Sequence, residues 1–311
     1  MLIISDDKIK EHLGYAGLIE SLRNIFLSDY TMPLRHHHFY TTPEGLENTL
    51  ILMPVWNQDY IGMKQVTVAP GNAQLGIPSI FARYILSDAR TGQPLAMMNA
   101  AELTSRRTAC TSALAANYLS RKDAKNLLIV GSGKVAQHLG QAYAAIRDLE
   151  SIEVWARNKE KMAELVQDLQ SKGLPAKESN NLEESVRNAD IVSCATLSET
   201  PVILGDWVKP GTHLDMIGSH KPNTRETDNV AIRKSTIFVD SRMGALHETG
   251  ELAIPIAEGI ISEEDVKADI TELIRGIHGG RSSEEEITLF KSAGLAVEDL
   301  AAALMVFKRC I

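Results

Sequence analysis

Four apolar residues, Leu127–Val130, run straight into Gly131-Ser132-Gly133 and on into Lys134-Val135-Ala136, which opens an amphipathic segment. A short apolar run ended by a glycine turn predicts a buried strand turning sharply into a helix. The spacing Gly131-x-Gly133-x-x-Ala136 matches the dinucleotide-binding fingerprint, with alanine in its third slot. Gly131 serves the tight turn. Gly133 lets backbone approach a pyrophosphate, and Ala136 is small enough for the helix to pack closely on the strand. The helix N-terminus adds unpaired N–H groups and a partial positive charge for the phosphates.

Around that turn, residues 126–240 repeat a strand–helix rhythm. Strands are predicted at 126–130, 151–155, 190–195, 212–217 and 236–240, and helices at 134–147, at 158–172 (closed by Gly173) and near 181–188. Such alternation predicts a parallel sheet covered on both faces and joined by right-handed crossovers. At the N-terminal end, Leu2–Ile4 is a short strand. Ser5 then caps a helix that carries Ile9, Leu13, Leu18, Leu22 and Phe26 as far as Leu27. From Met32 to Tyr84, prolines punctuate the apolar runs Thr49–Met53, Ile61–Val68 and Phe81–Leu86, a strand-rich meander. A turn at Asp88–Gly92, a run at Pro94–Asn99 and an alanine-rich helix at Ala101–Leu119 follow. In the tail, helices are expected from Ser262 to Arg275, over Ser283–Phe290 and over Gly294–Lys308. With 311 residues, two domains are expected, with a boundary near Arg121. The last helix can return to the first domain, because nothing in the nucleotide half needs it.

The net charge of −8 argues against nucleic acid or an anionic membrane as main partner. No apolar run approaches the roughly 20 residues of a membrane span, and the opening MLIISDDKIK brings acids too early for a secretory signal. Cys110, Cys194 and Cys310 sit in apolar contexts without metal-ligand spacing, so they read as free thiols in a reducing compartment. A cytoplasmic protein is the expectation.

In NAD-preferring proteins an acid about 20 residues beyond the glycines accepts the ribose 2′-OH. Here Ala156 holds that place, ahead of Arg157-Asn158-Lys159. Arg157 can pair bidentately with a 2′-phosphate, Lys159 adds charge, and Asn158 can contact the phosphate as well as cap the next helix. Cations at a helix N-terminus are disfavoured by the dipole, which a phosphate offsets. The sequence therefore favours NADP(H), with NAD(H) as the other choice.

Three cations lie in or beside apolar runs: Arg35 in MPLRHHHFY, Lys64 inside IGMKQVTV, and Arg107, whose helical neighbours at i+4 and i+7 are small or apolar. One alone is a snorkelling side chain. Buried charge is costly unless paired, so three ahead of the nucleotide half point to a site for a small carboxylate. His36 and His38 would share one side of a strand. No acid–histidine cluster stands nearby to complete a metal site, so none is expected.

Several of these patterns together resemble the ornithine cyclodeaminase/μ-crystallin family, over essentially the whole chain. They are Ile61–Val68 with Lys64, Leu103–Ala109, Gly131-Ser132-Gly133, Ile217–Pro222 with Arg225-Glu226, Glu248–Glu251 and Thr288–Asp299. The resemblance implies a homodimer. It implies a Rossmann-type, doubly wound NAD(P)-binding domain at 121–290, inserted into an α+β substrate and dimerisation domain built from both chain ends, 1–120 and 291–311. It implies hydride exchange between a nicotinamide and an imine or amine carbon beside a carboxylate. In the family's pattern, the matches to Arg35, Lys64 and Arg107 hold the carboxylate and order the site. Arg107 and Thr108 also lie against the cofactor, Thr196 lies along it, and Met216, Ile217 and Ser219 line its nicotinamide end.

One departure is informative. Cyclodeaminases carry an Asp in the loop after the fifth strand, where this chain has His220. Histidine cannot supply a fixed negative charge near a cationic amine, but it titrates near neutral pH and can donate a proton; otherwise it only shapes the pocket. The resemblance thus implies an NAD(P)H-dependent reductase of cyclic ketimines, with Lys64 and His220 catalytic. Its substrate is a small cyclic imino acid: Δ1-pyrroline-2-carboxylate, giving L-proline, or Δ1-piperideine-2-carboxylate, giving L-pipecolate. The alternatives are an ornithine cyclodeaminase or alanine dehydrogenase-type enzyme, and a non-catalytic NADPH-dependent binding protein of the crystallin type.

Overall fold

The computed structural model describes residues 1–311, the side chain of Ala73 apart. By its contacts the chain divides into two units, residues 1–107 with 295–311 and residues 108–294. In chain order the elements begin with β1 (Leu2–Ile4), α1 (Asp6–His12), α2 (Tyr15–Leu27), β2 (His36–Thr41), β3 (Glu47–Trp56), β4 (Tyr60–Val68), β5 (Ile80–Asp88), β6 (Pro94–Asn99) and α3 (Ala100–Leu119). They continue with β7 (Asn126–Val130), α4 (Ala136–Ala144), β8 (Ser151–Trp155), α5 (Lys159–Ser171), β9 (Ala176–Glu178), α6 (Leu182–Asn188), β10 (Ile191–Cys194) and β11 (His213–Met216). The remainder are α7 (Asn229–Lys234), β12 (Ser235–Val239), α8 (Arg242–His247), α9 (Gly250–Ala257), β13 (Val266–Asp269), α10 (Ile270–Ile274), β14 (Ile287–Lys291) and α11 (Ala296–Cys310).

In the first unit the single helix expected up to Leu27 is two. Ser5 does cap α1 by accepting the Lys8 N–H, but Gly14 adopts an extended conformation and starts α2 afresh. Glycine carries the largest helix penalty of any residue but proline, and the apolar spacing runs across it unaware. The six-stranded sheet has the order β1-β6-β5-β4-β3-β2. Its β2–β6 neighbours are antiparallel, and β1 joins β6 in parallel. Met53, Lys64, Tyr84 and Met98 stand opposite one another across four strands, and all are buried. That face packs against α11, which also packs on α2. The other face leaves Phe81 and Ile85 exposed.

In the second unit the eight-stranded sheet has the order β13-β12-β14-β11-β10-β7-β8-β9, every pair parallel. The chain winds one way from β7 through β8 to β9, then returns to place β10 on the other side of β7. This is the switch point of a doubly wound sheet, where ligands bind at the strands' carboxyl ends. Asp215 in β11 ties the unit together. It accepts from Ser112 Oγ at 2.9 Å, from the Tyr143 hydroxyl at 3.0 Å and from Ser193 Oγ. Burial outweighs those donors and lifts its pKa to about 6.

Two stretches of the tail differ from the sequence expectation. Ser262–Arg275 is not one helix: a 3-10 turn, the edge strand β13 and the short α10 fill it. Ser283–Phe290 is not a helix either, because its second half belongs to β14, between β11 and β12 in the sheet. A strand buried on both faces reads as a short continuous apolar run, which periodicity cannot tell from a buried helix turn.

Candidate active site

In the first unit, the strand's two-residue period turns Gly62 and Lys64 inward. Lys64 is only 2% exposed, and a lysine there requires a counter-charge. Helix α11 supplies it: Lys64 Nζ lies 2.6 Å from Asp299 Oδ2. Arg107 shares the same carboxylate, Nε to Oδ1 at 2.9 Å, and its Nη1 reaches Glu298 at 2.5 Å. Glu298 and Asp299 stand in the first turn of α11, where the helix dipole favours acids.

Burial pulls the Lys64 ammonium down and Arg107 and Arg35 repel it, while Asp299 pulls it up, leaving a pKa of about 8. Lys64 can therefore give up a proton close to neutral pH. Burial also opposes the charge on Arg107, but Asp299 and Glu298 outweigh it and raise its pKa. Arg35, half-buried just before β2, lies near enough to act on Lys64. Tyr84 stands opposite Lys64 in register, with its hydroxyl buried. A Cβ at Gly62 would meet that hydroxyl at 1.9 Å, so only glycine leaves it room. Burial, then Asp299, push the Tyr84 hydroxyl well above its ordinary pKa.

In the second unit, Gly131 follows β7 with φ of +123°, in the region that favours glycine. A Cβ there would meet the Ala195 carbonyl oxygen at 2.6 Å, so the turn closes directly against the end of β10. Gly133 is exposed, with open space where its Cβ would stand. Lys134 is exposed and Ser132 half-buried beside it; Val135 leads into α4 without a side-chain cap, and Ala136 is buried. A bare backbone turn at a helix start, open on one side, fits a pyrophosphate. Arg157, Asn158 and Lys159 are exposed beyond β8. Asn158 caps α5, its Oδ1 accepting the Lys161 N–H at 2.9 Å. Among the described residues neither Arg157 nor Lys159 is ion-paired with an acid. Thr108 is buried in α3.

Thr196 follows β10, and Met216–His220 follows β11. The two loops touch: a Cβ at Gly218 would lie 1.8 Å from the Thr196 carbonyl oxygen. His220 is exposed, and its Nδ1 lies 3.0 Å from the Gly218 carbonyl oxygen. A carbonyl only accepts, so Nδ1 donates the hydrogen in this contact. His36 and His38 share one side of β2, ring centroids 6.2 Å apart. Among the described residues no His, Cys, Asp and Glu side chains gather as a metal site, and no helix is long and apolar enough to cross a membrane.

The predicted residues thus gather within each unit: Arg35, Lys64 and Arg107 in the first, the glycine turn, Thr196 and the 216–220 loop in the second. Glu298 and Asp299, on which both buried cations depend, carried no assigned role in the sequence. Their signal was two adjacent acids at the head of AVEDLAAALMVF, as anomalous in an apolar helix as Lys64 is in its strand.

The model of the ornithine cyclodeaminase/mu-crystallin family matches residues 8–311. A Schizosaccharomyces pombe protein described as uncharacterized is 43% identical, over 98% of this chain and 96% of its own. A Delta(1)-pyrroline-2-carboxylate reductase of Colwellia psychrerythraea is 36% identical, over 99% of both chains. Among solved structures, Thermococcus litoralis Delta(1)-pyrroline-2-carboxylate reductase in complex with NADH and L-proline superposes with a TM-score of 0.92. It is 32% identical and covers 100% of this chain and 97% of its own.

Proposed function

We infer that this chain, which belongs to the ornithine cyclodeaminase/mu-crystallin family, is an NAD(P)H-dependent oxidoreductase of C=N groups. Its proposed substrates are Δ1-pyrroline-2-carboxylate and Δ1-piperideine-2-carboxylate. The observation that carries this is Lys64 seated on Asp299 with a pKa of about 8. It provides an ordered, shielded ammonium able to part with a proton near neutral pH. The chain-long likeness to pyrroline-2-carboxylate reductases supports the substrate class.

A bound reduced nicotinamide supplies a hydride for the imine carbon. The chain's residues do the rest. Arg35 and Arg107 hold the substrate carboxylate. Lys64 orients it and passes a proton to the ring nitrogen, since only the protonated imine accepts hydride well. One proton at nitrogen and one hydride at carbon turn the C=N bond into a secondary amine. His220, in place of an acid, cannot hold a second, cationic amine, which favours reduction over the deamination of ornithine. Arg107, Thr108, Thr196, the 131–136 turn and the loop from Met216 through Ile217 to Ser219 hold the cofactor.

Arg157 and Lys159 favour the 2′-phosphate of NADP(H), with NAD(H) also accepted. The open apolar sheet face of the first unit, with Phe81 and Ile85 exposed, supports a homodimer; light scattering should give twice the chain's mass, and a monomer counts against it. Cys110, Cys194 and Cys310 form no disulfide, which suits a cytoplasmic setting.

Oxidation of NADPH and NADH should be followed separately with the five- and six-membered ketimines, with ornithine as control. Both ketimines should turn over, with KM lower for NADPH. Arg157→Ala should raise the NADPH KM about 10-fold or more, the worth of a charge-assisted hydrogen bond, and leave NADH nearly unchanged. Inert ketimines, or ammonia released from ornithine, overturn the proposed substrate.

A further inference from the structure

Lys291 ends β14 directly beside Met216, the last residue of β11. Its side chain is fully buried, in a sheet position where leucine or isoleucine would pack without the cost of burying a charge. Its ammonium donates to three carbonyls of one loop: Met216 at 3.1 Å, Ile217 at 3.4 Å and Ser219 at 2.7 Å. An ammonium has three hydrogens, and this loop takes them all.

Glu226, equally buried, grips the same loop from the other side. One carboxylate oxygen accepts the Gly218 N–H at 2.6 Å; the other accepts the Thr196 N–H at 2.7 Å and its hydroxyl at 2.8 Å. The two grips meet on one peptide. In a trans peptide the C=O and N–H point opposite ways, so the 217–218 plane has its oxygen on a cation and its hydrogen on an anion. Turning it over would aim each end at a like charge. Glu251 holds Glu226 in turn, accepting the Glu226 N–H at 2.6 Å and the Thr227 N–H at 2.9 Å. Burial opposes the charge on Lys291, and Glu226, Glu251, Asp240 and Asp215 work to keep it. The next carbonyl along, that of Gly218, receives His220 Nδ1.

We propose that Lys291 and Glu226 are positioning residues that lock the 217–218 peptide, and through it set the Met216–Ser219 platform and the His220 ring for the nicotinamide end of the cofactor. This rests on the proposed nicotinamide-dependent reading of the second unit. Neither residue touches the reacting atoms. Removing the clamp should therefore loosen the nicotinamide end alone and leave the glycine turn's hold on the pyrophosphate intact.

The test is cofactor binding by titration calorimetry, with no substrate present. Intact NADPH is compared with 2′-phospho-ADP-ribose, which lacks the nicotinamide. Lys291→Met should weaken NADPH about 10-fold or more, within the range for lost supporting contacts, and change 2′-phospho-ADP-ribose less than twofold. Lys291→Arg, which keeps the charge, should recover part of the loss. If Lys291→Met does not fold, the isosteric Glu226→Gln decides, with the same pattern expected at smaller size. In turnover, kcat should fall more than KM rises, and the deuterium isotope effect with 4-deuterated cofactor should grow. Equal weakening of both ligands, or of neither, overturns the positioning role alone. A wild-type chain that binds neither ligand overturns the cofactor assignment, and this inference with it.

Discussion

Lys64→Met should lower kcat for the proposed ketimine reduction about 100- to 10,000-fold, the range for loss of a positioned proton donor, while NADPH binding should change little. The expectation comes from where the lysine sits. Burial and two neighbouring arginines bring its pKa to about 8, and Asp299 fixes its direction. The variant should still fold, because Asp299 keeps Arg107 at 2.9 Å and is not left bare. The wild-type rate should depend on pH in the direction the lysine dictates. The ammonium form, the proposed donor, is present below about 8 and lost above it, so kcat/KM should be level on the acid side and fall about tenfold per unit on the alkaline side. In Lys64→Met that inflection should vanish. A variant that keeps normal turnover removes Lys64 from the chemistry.

Asp299→Asn should strongly destabilise the first unit. It strips the anion from Lys64 and weakens the pairing of Arg107, leaving it only Glu298 at 2.5 Å. Orphaning a buried charge costs about 3–5 kcal/mol, on the order of 10 °C in Tm. The loss should depend on pH. Asp299 raises the Lys64 pKa, so without it the folded-state value drops below about 8, further from the ordinary 10.5. The unfolded chain then binds more protons than the folded one over a wider window, and stability rises with pH across it. Thermal melts should therefore show the largest deficit on the acid side, narrowing as pH rises towards 8. Adding Lys64→Met should recover part of it, because the second change removes the orphaned charge. Additive losses would mean that the two side chains do not depend on each other.

How much of this could be read beforehand follows from the physics of each signal. The Leu127–Ala136 turn was legible because a buried strand, a glycine with positive φ and a helix start coincide within ten residues. The meander of the first unit was legible because each strand has one buried face, and alternation places Lys64 on the inside. Strand β14 was not, since burial on both faces erases alternation, and the preceding Ser-Ser-Glu-Glu-Glu imitates a helix start. Lys64 and Arg107 announced themselves as charges out of place. The partners of Arg107, Glu298 and Asp299, lie 191 and 192 residues further on, and Asp299 lies further still from Lys64; no local pattern joins residues so far apart. Lys291 and Glu226 were hidden for a different reason: they bind backbone, and sequence carries no trace of which carbonyls a lysine will meet.

The proposed reaction is delivery of hydride to an imine carbon beside a carboxylate. Its most direct test is single-turnover reaction of Δ1-pyrroline-2-carboxylate with NADPH carrying deuterium at both positions of nicotinamide C4, followed by mass spectrometry of the product. One deuterium at C2 of L-proline is the expected result. Proline without deuterium, or no proline at all from an enzyme with cofactor bound, contradicts it.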